Sequence, residues 1–284
     1  MKICRTIAEV RAFRQTLVQG VGCVPTMGYL HAGHAALVQA SQAAHPATIV
    51  TLFVNPAQFN AAEDLANYPR DEAGDLAKLV SWGVTAVFIP TVAEIYPTGY
   101  QTYIDVEEVS QGLEGQYRPG HFRGVATVVA KLLNIIQPSH AYFGQKDAQQ
   151  VAVVRQMVQD LALPVEIMAC PTVRESDGLA LSSRNARLSP AERRAAPVLY
   201  RALRQTQDAY QAGERLAETL VEQARAIIHA EPLVRLEYLS LNDPQTLKPL
   251  AGTLAGSALL SLAAYCGPVR LIDNLLLAKH SEHL

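Results

Sequence analysis

Val21-Gly22-Cys23-Val24-Pro25-Thr26-Met27-Gly28-Tyr29-Leu30-His31-Ala32-Gly33-His34 reads as a strand, a turn and the first turn of a helix. Val21 to Pro25 is short, apolar and β-branched, which suits a buried strand. Gly28 breaks the run, and a helical pattern follows from Gly33 to Ala44. Ala47 to Val54 (ATIVTLFV) is a second and stronger strand. Strand, helix, strand in this order predicts a βαβ unit and so a parallel sheet covered on both faces. Val84 to Ile89, His140 to Phe143 and Val165 to Ala169 read as further strands. Glu63 to Trp82, Gly124 to Gln137 and Ala148 to Leu161 read as the helices between them. The expectation is an α/β, Rossmann-like parallel sheet over residues 1–172, with ligands gathered at the carboxyl ends of its strands.

Beyond Pro171 the pattern changes. A polar loop from Arg174 to Arg187 leads to Ser189-Pro190-Ala191-Glu192, where Ser as N-cap, Pro at the first helical position and Glu three residues on predict a helix start. Helical patterns over Ala191 to Ala212 and Arg215 to His229 follow, then strand-like runs at Val234 to Leu241, Ala258 to Ala263 and Val269 to Leu271. Residues 173–284 are therefore expected to form a second, smaller α+β domain, hinged near Pro171 to Val173 and placed to act as a lid.

The bulk numbers exclude several classes. The chain has 284 residues, 49% of them hydrophobic, with a formal net charge of -2. That is ample for a globular core and offers no basic excess for nucleic acid. Cys4, Cys23, Cys170 and Cys266 are scattered without a C-x-x-C pair, as expected of apolar core residues in a reducing compartment. No apolar run approaches the roughly 18 residues of a membrane span. Met1 to Gln15 is interrupted by Arg5, Glu9, Arg11 and Arg14, unlike a secretion signal. The expectation is a cytoplasmic protein without membrane or nucleic-acid partners.

His31 and His34 share one face if their turn is helical. The free N–H groups and positive end of a helix N-terminus suit a triphosphate, and two imidazoles add donors where phosphate charge grows. Other readings of H-x-x-H stand beside this one. Two surface histidines three apart arise by chance. A zinc site of the metalloprotease type needs His at i and i+4 with a neighbouring Glu, whereas Ala32 follows His31 here. A dinucleotide site needs G-x-G-x-x-G, which the turn lacks.

Four further stretches carry chemistry. Phe53-Val54-Asn55-Pro56-Ala57-Gln58-Phe59 ends the second strand, where the Gln58 amide can bind a hydroxyl and a carboxylate together. Arg118-Pro119-Gly120-His121-Phe122-Arg123-Gly124-Val125 is a loop running into a helix, in which Arg118 or His121 can neutralise substrate charge. In Tyr142-Phe143-Gly144-Gln145-Lys146-Asp147-Ala148-Gln149-Gln150, Gly144 permits close approach, Lys146 brings a point charge for phosphate and Asp147 can accept from ribose hydroxyls. Pro171-Thr172-Val173-Arg174-Glu175-Ser176-Asp177-Gly178-Leu179-Ala180-Leu181-Ser182-Ser183-Arg184-Asn185 offers two hydroxyls and the planar fork of Arg184. Asp75 is either a magnesium ligand or a solvated helix carboxylate.

The H-x-G-H core resembles the HIGH signature of nucleotidyltransferases and class I aminoacyl-tRNA synthetases. The longer P-T-M-G-Y-L-H-A-G-H string, with F-V-N-P-A-Q-F, R-P-G-H-F-R-G-V, F-G-Q-K-D-A-Q-Q and P-T-V-R-E-S-D-G-L-A-L-S-S-R-N in the same order, resembles the pantothenate synthetase (pantoate–β-alanine ligase) family. The likeness is dense from Gly22 to Arg187 and thins toward Leu236-Glu237-Tyr238 and Arg270-Leu271-Ile272-Asp273-Asn274. Gln145 departs from the family's Glu and Leu181 from its Met, the second a nearly volume-conserving change.

The resemblance implies an ATP-dependent ligase that joins pantoate to β-alanine through a pantoyl-adenylate, releasing pyrophosphate and AMP, with Mg2+ accompanying ATP and a homodimeric assembly. It implies ATP binding by Met27, Gly28, Tyr29, Leu30, His31, Ala32, Gly33 and His34, by Gly144, Gln145, Lys146 and Asp147, and by Val173, Leu181, Ser182, Ser183 and Arg184, with Val173 at the adenine. Catalysis falls to His34, His31 and Lys146, with His34 as proton donor. Pantoate falls to Gln58 and Gln150, and β-alanine to Gln58. Two alternatives stay open at this point: another adenylyltransferase of the same signature, and a nucleotide-binding relative without turnover.

Overall fold

A computed structural model describes residues 1–60 and 62–278 of the chain. Its first part is a parallel sheet with strand order β1-β4-β3-β2-β5-β6. The strands are β1 (Lys2–Cys4), β2 (Val21–Thr26), β3 (Ala47–Leu52), β4 (Ala86–Phe88), β5 (His140–Gly144) and β6 (Glu166–Cys170). Helices α1 (Ile7–Gln15), α2 (Ala32–Ala44), α3 (Ala62–Ala66), α4 (Glu72–Ser81), α5 (Val92–Ile95), α6 (Glu114–Tyr117), α7 (His121–Ile136) and α8 (Ala148–Asp160) lie between them. One apolar cluster joins Val21, Cys23, Ile49 and Phe88 to α7 and α8. Another joins Val24, Val50 and Val87 to Leu37, Val38 and Leu79. Both faces of the sheet are therefore buried, as the strand runs predict. The chain winds from β2 outward to β3 and β4, then returns to place β5 on the other side of β2. The carboxyl ends of β2 and β5 thus form the switch point where such sheets bind ligands.

The second part is an antiparallel sheet of β7 (Val234–Asn242), β8 (Ala258–Cys266) and β9 (Val269–Leu277). It shares an apolar core with α10 (Val198–Gln211) and α11 (Ala217–His229), through Leu199, Leu203, Leu220, Ile228, Leu260 and Leu262 among others.

Several boundaries differ from the sequence reading. The helix expected over Glu63 to Trp82 is two helices, α3 and α4. Pro69 lacks an N–H and disfavours a helical residue before it. The break is then used: Arg70 donates to the carbonyls of Leu65 and Tyr68, 3.0 Å each, and Asp71 caps α4 by accepting the Gly74 N–H at 2.9 Å. Likewise Ala191 to Ala212 divides at Pro197 into α9 (Pro190–Ala195) and α10. The predicted Ser189–Glu192 capping box is present at the start of α9. Strands β8 and β9 run several residues beyond their expected ends, because each pairs along its whole length. Strand β1 has no counterpart in the sequence reading: three residues on a sheet edge leave too little pattern to read.

Candidate active site

The turn after β2 is held in a conformation that ordinary residues avoid. Gly28 has φ +82° and Tyr29 has φ +53°, and a side chain in that region is strained unless neighbours fix it. Here the fixing group is Asp75. Its carboxylate oxygens accept the N–H of Tyr29 and the N–H of Leu30, 2.7 Å each. Lys78, one turn along α4, donates to the Leu30 carbonyl at 2.8 Å. Asp75 is only 2% exposed. The reading of this residue as a solvated carboxylate is corrected: Asp75 is buried, and each of its oxygens accepts a backbone N–H of the turn.

His31 is the N-cap of α2. Its Nδ1 accepts from Gly33 N–H at 3.1 Å, and the Nδ1 of His34 accepts from His31 N–H at 3.2 Å. This is a capping box built from imidazoles. Because each Nδ1 accepts, each neutral ring carries its proton on Nε2. The rings lie 4.2 Å apart. Burial, then His31, Lys146 and Lys78, push His34 down to about 3. Burial and the same two lysines also lower His31. At neutral pH the pair is therefore two uncharged Nε2–H donors beside a lysine.

Three adjoining cavities connect part of the expected site. Lys146, Asp147, Gln150, Arg118, His121 and Asn274 line one cavity. Lys146 also lines a second cavity with Ser182 and Arg184. His121 lines a third with Gln58. Met27 touches Gln58, its sulfur 3.3 Å from Nε2. Gly144, Gln145, Val173, Leu181 and Ser183 line none of the three, and neither does any residue from Met27 to His34; the two histidines sense Lys146 through its charge. Leu181 N–H donates to the Val173 carbonyl at 2.9 Å, closing the loop on itself, and Ser182 Oγ accepts the Arg184 N–H at 3.2 Å.

His121 is oriented by backbone. Its Nδ1 lies 2.9 Å from the Gln58 carbonyl and so must donate, which leaves Nε2 to accept from Arg118 at 3.1 Å. Burial and Arg118 push His121 down to about 4. Burial and the neighbouring Arg184 push Arg118 down to about 10. Close approach of α7 depends on Gly124. A Cβ there would collide with the Ala57 carbonyl and sit 2.7 Å from Gln58 Cα.

The antiparallel sheet reaches into the site at two points that the sequence reading did not assign. Asn274 Nδ2 donates to the carbonyls of Gln145 and Lys146, 2.9 Å each, and so steadies the turn after β5. Arg270 grips Glu114 through two bonds of 2.7 and 2.8 Å, and Tyr238 donates to the same carboxylate at 3.0 Å. Next to Asn274, Asp273 takes Arg174 at 2.6 and 2.9 Å, while the guanidinium of Arg174 stacks on Tyr200. That pairing fixes the root of the Ser182–Arg184 loop. Asn274 and Asp273 lie in a stretch matched by resemblance. Nothing in the sequence marks which element they meet.

Among the described residues no group of three or more His, Cys, Asp and Glu side chains is placed to hold a metal ion. The four cysteines are buried and unpaired. No helix of the described residues is long and apolar enough to cross a membrane.

Comparison with known proteins agrees with this geometry. Residues 2–276 match the family model for pantoate-beta-alanine ligase. A pantothenate synthetase of Chloroflexus aggregans is 57% identical over 277 residues, covering 98% of this chain and 100% of that protein. One of Herpetosiphon aurantiacus is 53% identical over 277 residues, again covering 98% and 100%. The crystal structure of the Thermus thermophilus enzyme superposes with a TM-score of 0.93 at 49% identity, covering 98% of this chain and 100% of that one. A Francisella tularensis pantoate-beta-alanine ligase, solved with beta-gamma ATP and beta-alanine, gives a TM-score of 0.80 at 36% identity, covering 98% of each. The chain belongs to the pantoate-beta-alanine ligase family.

Proposed function

We propose that the chain condenses pantoate with β-alanine at the expense of ATP, through a pantoyl-adenylate. The observation that carries this reading is the meeting of Lys146, the Ser182–Arg184 loop, Gln58 and Gln150 in adjoining cavities, with two neutral imidazoles close enough for the charge of Lys146 to act on them. A carboxylate is a poor acylating agent because its leaving group would be oxide. In the first step the pantoate carboxylate attacks the α-phosphorus of ATP and pyrophosphate leaves. His31 and His34 stabilise the growing phosphate charge through Nε2–H, with Lys146 and Arg184 as fixed cations. A ring held near 3 carries no extra proton at pH 7, so we assign His34 a hydrogen-bond donor's part rather than that of an acid. In the second step the uncharged β-alanine amine attacks the pantoyl carbonyl and AMP leaves. Gln58 and Gln150 hold pantoate, and Gln58 borders the path of β-alanine. Much of the acceleration comes from alignment of the reactants.

Mg2+ belongs to this reading as the companion of the ATP phosphates. Such an ion is held largely by phosphate oxygens and water, and no step is assigned to it here. Residues 173–284 act in this proposal as a lid domain, with the Arg174–Asp273 pair at its root. A cytoplasmic location and a homodimer complete it, on the family likeness. The test is AMP release from ATP and magnesium with pantoate, with β-alanine and with both. Sustained release that needs both acids, with pyrophosphate exchange on pantoate alone, is the expected result. Folded protein that binds ATP without such release would overturn it.

A further inference from the structure

We infer that Tyr96 is a positioning residue for this reaction: through Asn55 it sets which way round the Gln58 amide stands, so that Gln58 turns N–H rather than oxygen toward its substrate. The inference rests on the functional reading above and deepens it. Backbone groups, whose polarity cannot reverse, fix the order. The Ala57 N–H points at one side-chain atom of Asn55, 3.3 Å away, which must therefore be the oxygen. The Gly124 carbonyl lies 3.1 Å from the other, which must be the nitrogen. The Tyr96 hydroxyl is 2.8 Å from that same Asn55 oxygen, so it donates. The second hydrogen of the Asn55 amide is directed at Gln58, 3.0 Å away, and only Oε1 can receive it. Gln58 Nε2 is left facing Met27 of the signature turn.

Tyr96 is well placed to hold this order. Its ring packs edge-on against Tyr100 at 5.1 Å and near Phe53 at 6.3 Å, and burial raises its phenol further above the ordinary range, so the donor proton stays in place. The chemical consequence is directional. The second Nε2–H of Gln58, which Met27 does not take, is offered to a substrate acceptor, a carboxylate or hydroxyl oxygen. An amide turned over would set its oxygen against that atom, and a buried mismatch of this kind is costly.

The test uses wild type, Tyr96→Phe, Gln58→Ala and the double variant, with kcat/KM for pantoate and KM for ATP measured on each. Tyr96→Phe is expected to lower kcat/KM for pantoate about 3- to 10-fold, the range of one neutral hydrogen bond, with KM for ATP unchanged. On the Gln58→Ala background the same change is expected to be silent, since its effect passes through Gln58. Asn55→Asp, whose two oxygens demand a donor from Gln58 and also oppose the Gly124 carbonyl, is expected to cost more than Tyr96→Phe on the wild-type background. Equal losses on both backgrounds, a parallel shift in KM for ATP, or no loss at all would overturn the relay while leaving the ligase reading intact. Wild-type protein without pantoate-dependent AMP release would instead overturn the reading on which the relay rests.

Discussion

Asp75 accepts the backbone N–H of Tyr29 at 2.7 Å across 46 residues of chain. With its partner bond to Leu30, also 2.7 Å, it holds the signature turn in a left-handed step. The turn sets the start of α2 and so the place of both imidazoles. Asp75→Asn keeps one acceptor but sets an NH2 group against one of the two N–H donors. Two charge-assisted bonds of this kind contribute about 1.5–3 kcal/mol each, so the loss in kcat/KM for ATP is expected at roughly 30-fold. The distinguishing measurement is magnesium dependence. A loop-holding role predicts that excess Mg2+ restores nothing, whereas recovery at high Mg2+ would point back to a metal ligand.

Asn274→Ala tests the reach of the antiparallel sheet into the phosphate turn. The substitution leaves the Gln145 and Lys146 carbonyls without their common donor. Each lost bond is worth about 0.5–1.5 kcal/mol, so kcat/KM for ATP is expected to fall on the order of 10-fold. A fall in melting temperature with unchanged kcat/KM would reduce the contact to a structural one.

What was legible in the sequence divides from what was not by range along the chain. The strand and helix around Val21 to Ala44 are local patterns, and they appear within a residue or two of where the pattern puts them. Pro69 and Pro197 are visible too, but apolar periodicity on either side suggests continuous helices, and proline geometry overrides it. The histidines, Lys146 and Ser182–Arg184 stand in motifs at strand ends and converge as the parallel topology requires. Asp75, Asn274 and Tyr96 act across 46, 129 and 41 residues. No spacing rule connects such positions. Asn55 stands in the F-V-N-P-A-Q-F motif, yet as one more polar turn residue until its four neighbours are in place.

Acid stability follows from His121. Burial and Arg118 hold its folded value at about 4, while an unfolded histidine titrates near 6.5. Between those values the unfolded chain binds more protons than the folded one. Stability is therefore full above about 6.5 and is lost as pH falls toward 4. His34, held at about 3, acts in the same direction and extends the loss. His121→Asn keeps a donor toward the Gln58 carbonyl and removes this titration. Denaturation midpoints measured from pH 7 down to pH 4.5 are expected to fall less steeply in the variant than in wild type. Parallel curves would show that His121 is not a source of the slope.

His34 separates the two ways an imidazole can serve a phosphate. The ring accepts His31 N–H on Nδ1 and has only its Nε2–H to offer. His34→Ala removes that donor and is expected to cost on the order of 10²-fold or more in kcat, as for one oxyanion-type donor, with the fold retained. His34→Gln is the sharper variant. Glutamine at the third helical position satisfies a capping box and carries an uncharged N–H donor. If His34 works as a neutral donor, His34→Gln recovers part of the loss seen with alanine. In that case wild-type kcat shows no inflection between pH 6 and 8 that His34→Gln abolishes. If His34 delivers a proton, glutamine is as poor as alanine, and wild type shows such an inflection, absent from both variants. Rates for the three proteins across that pH range decide between the two.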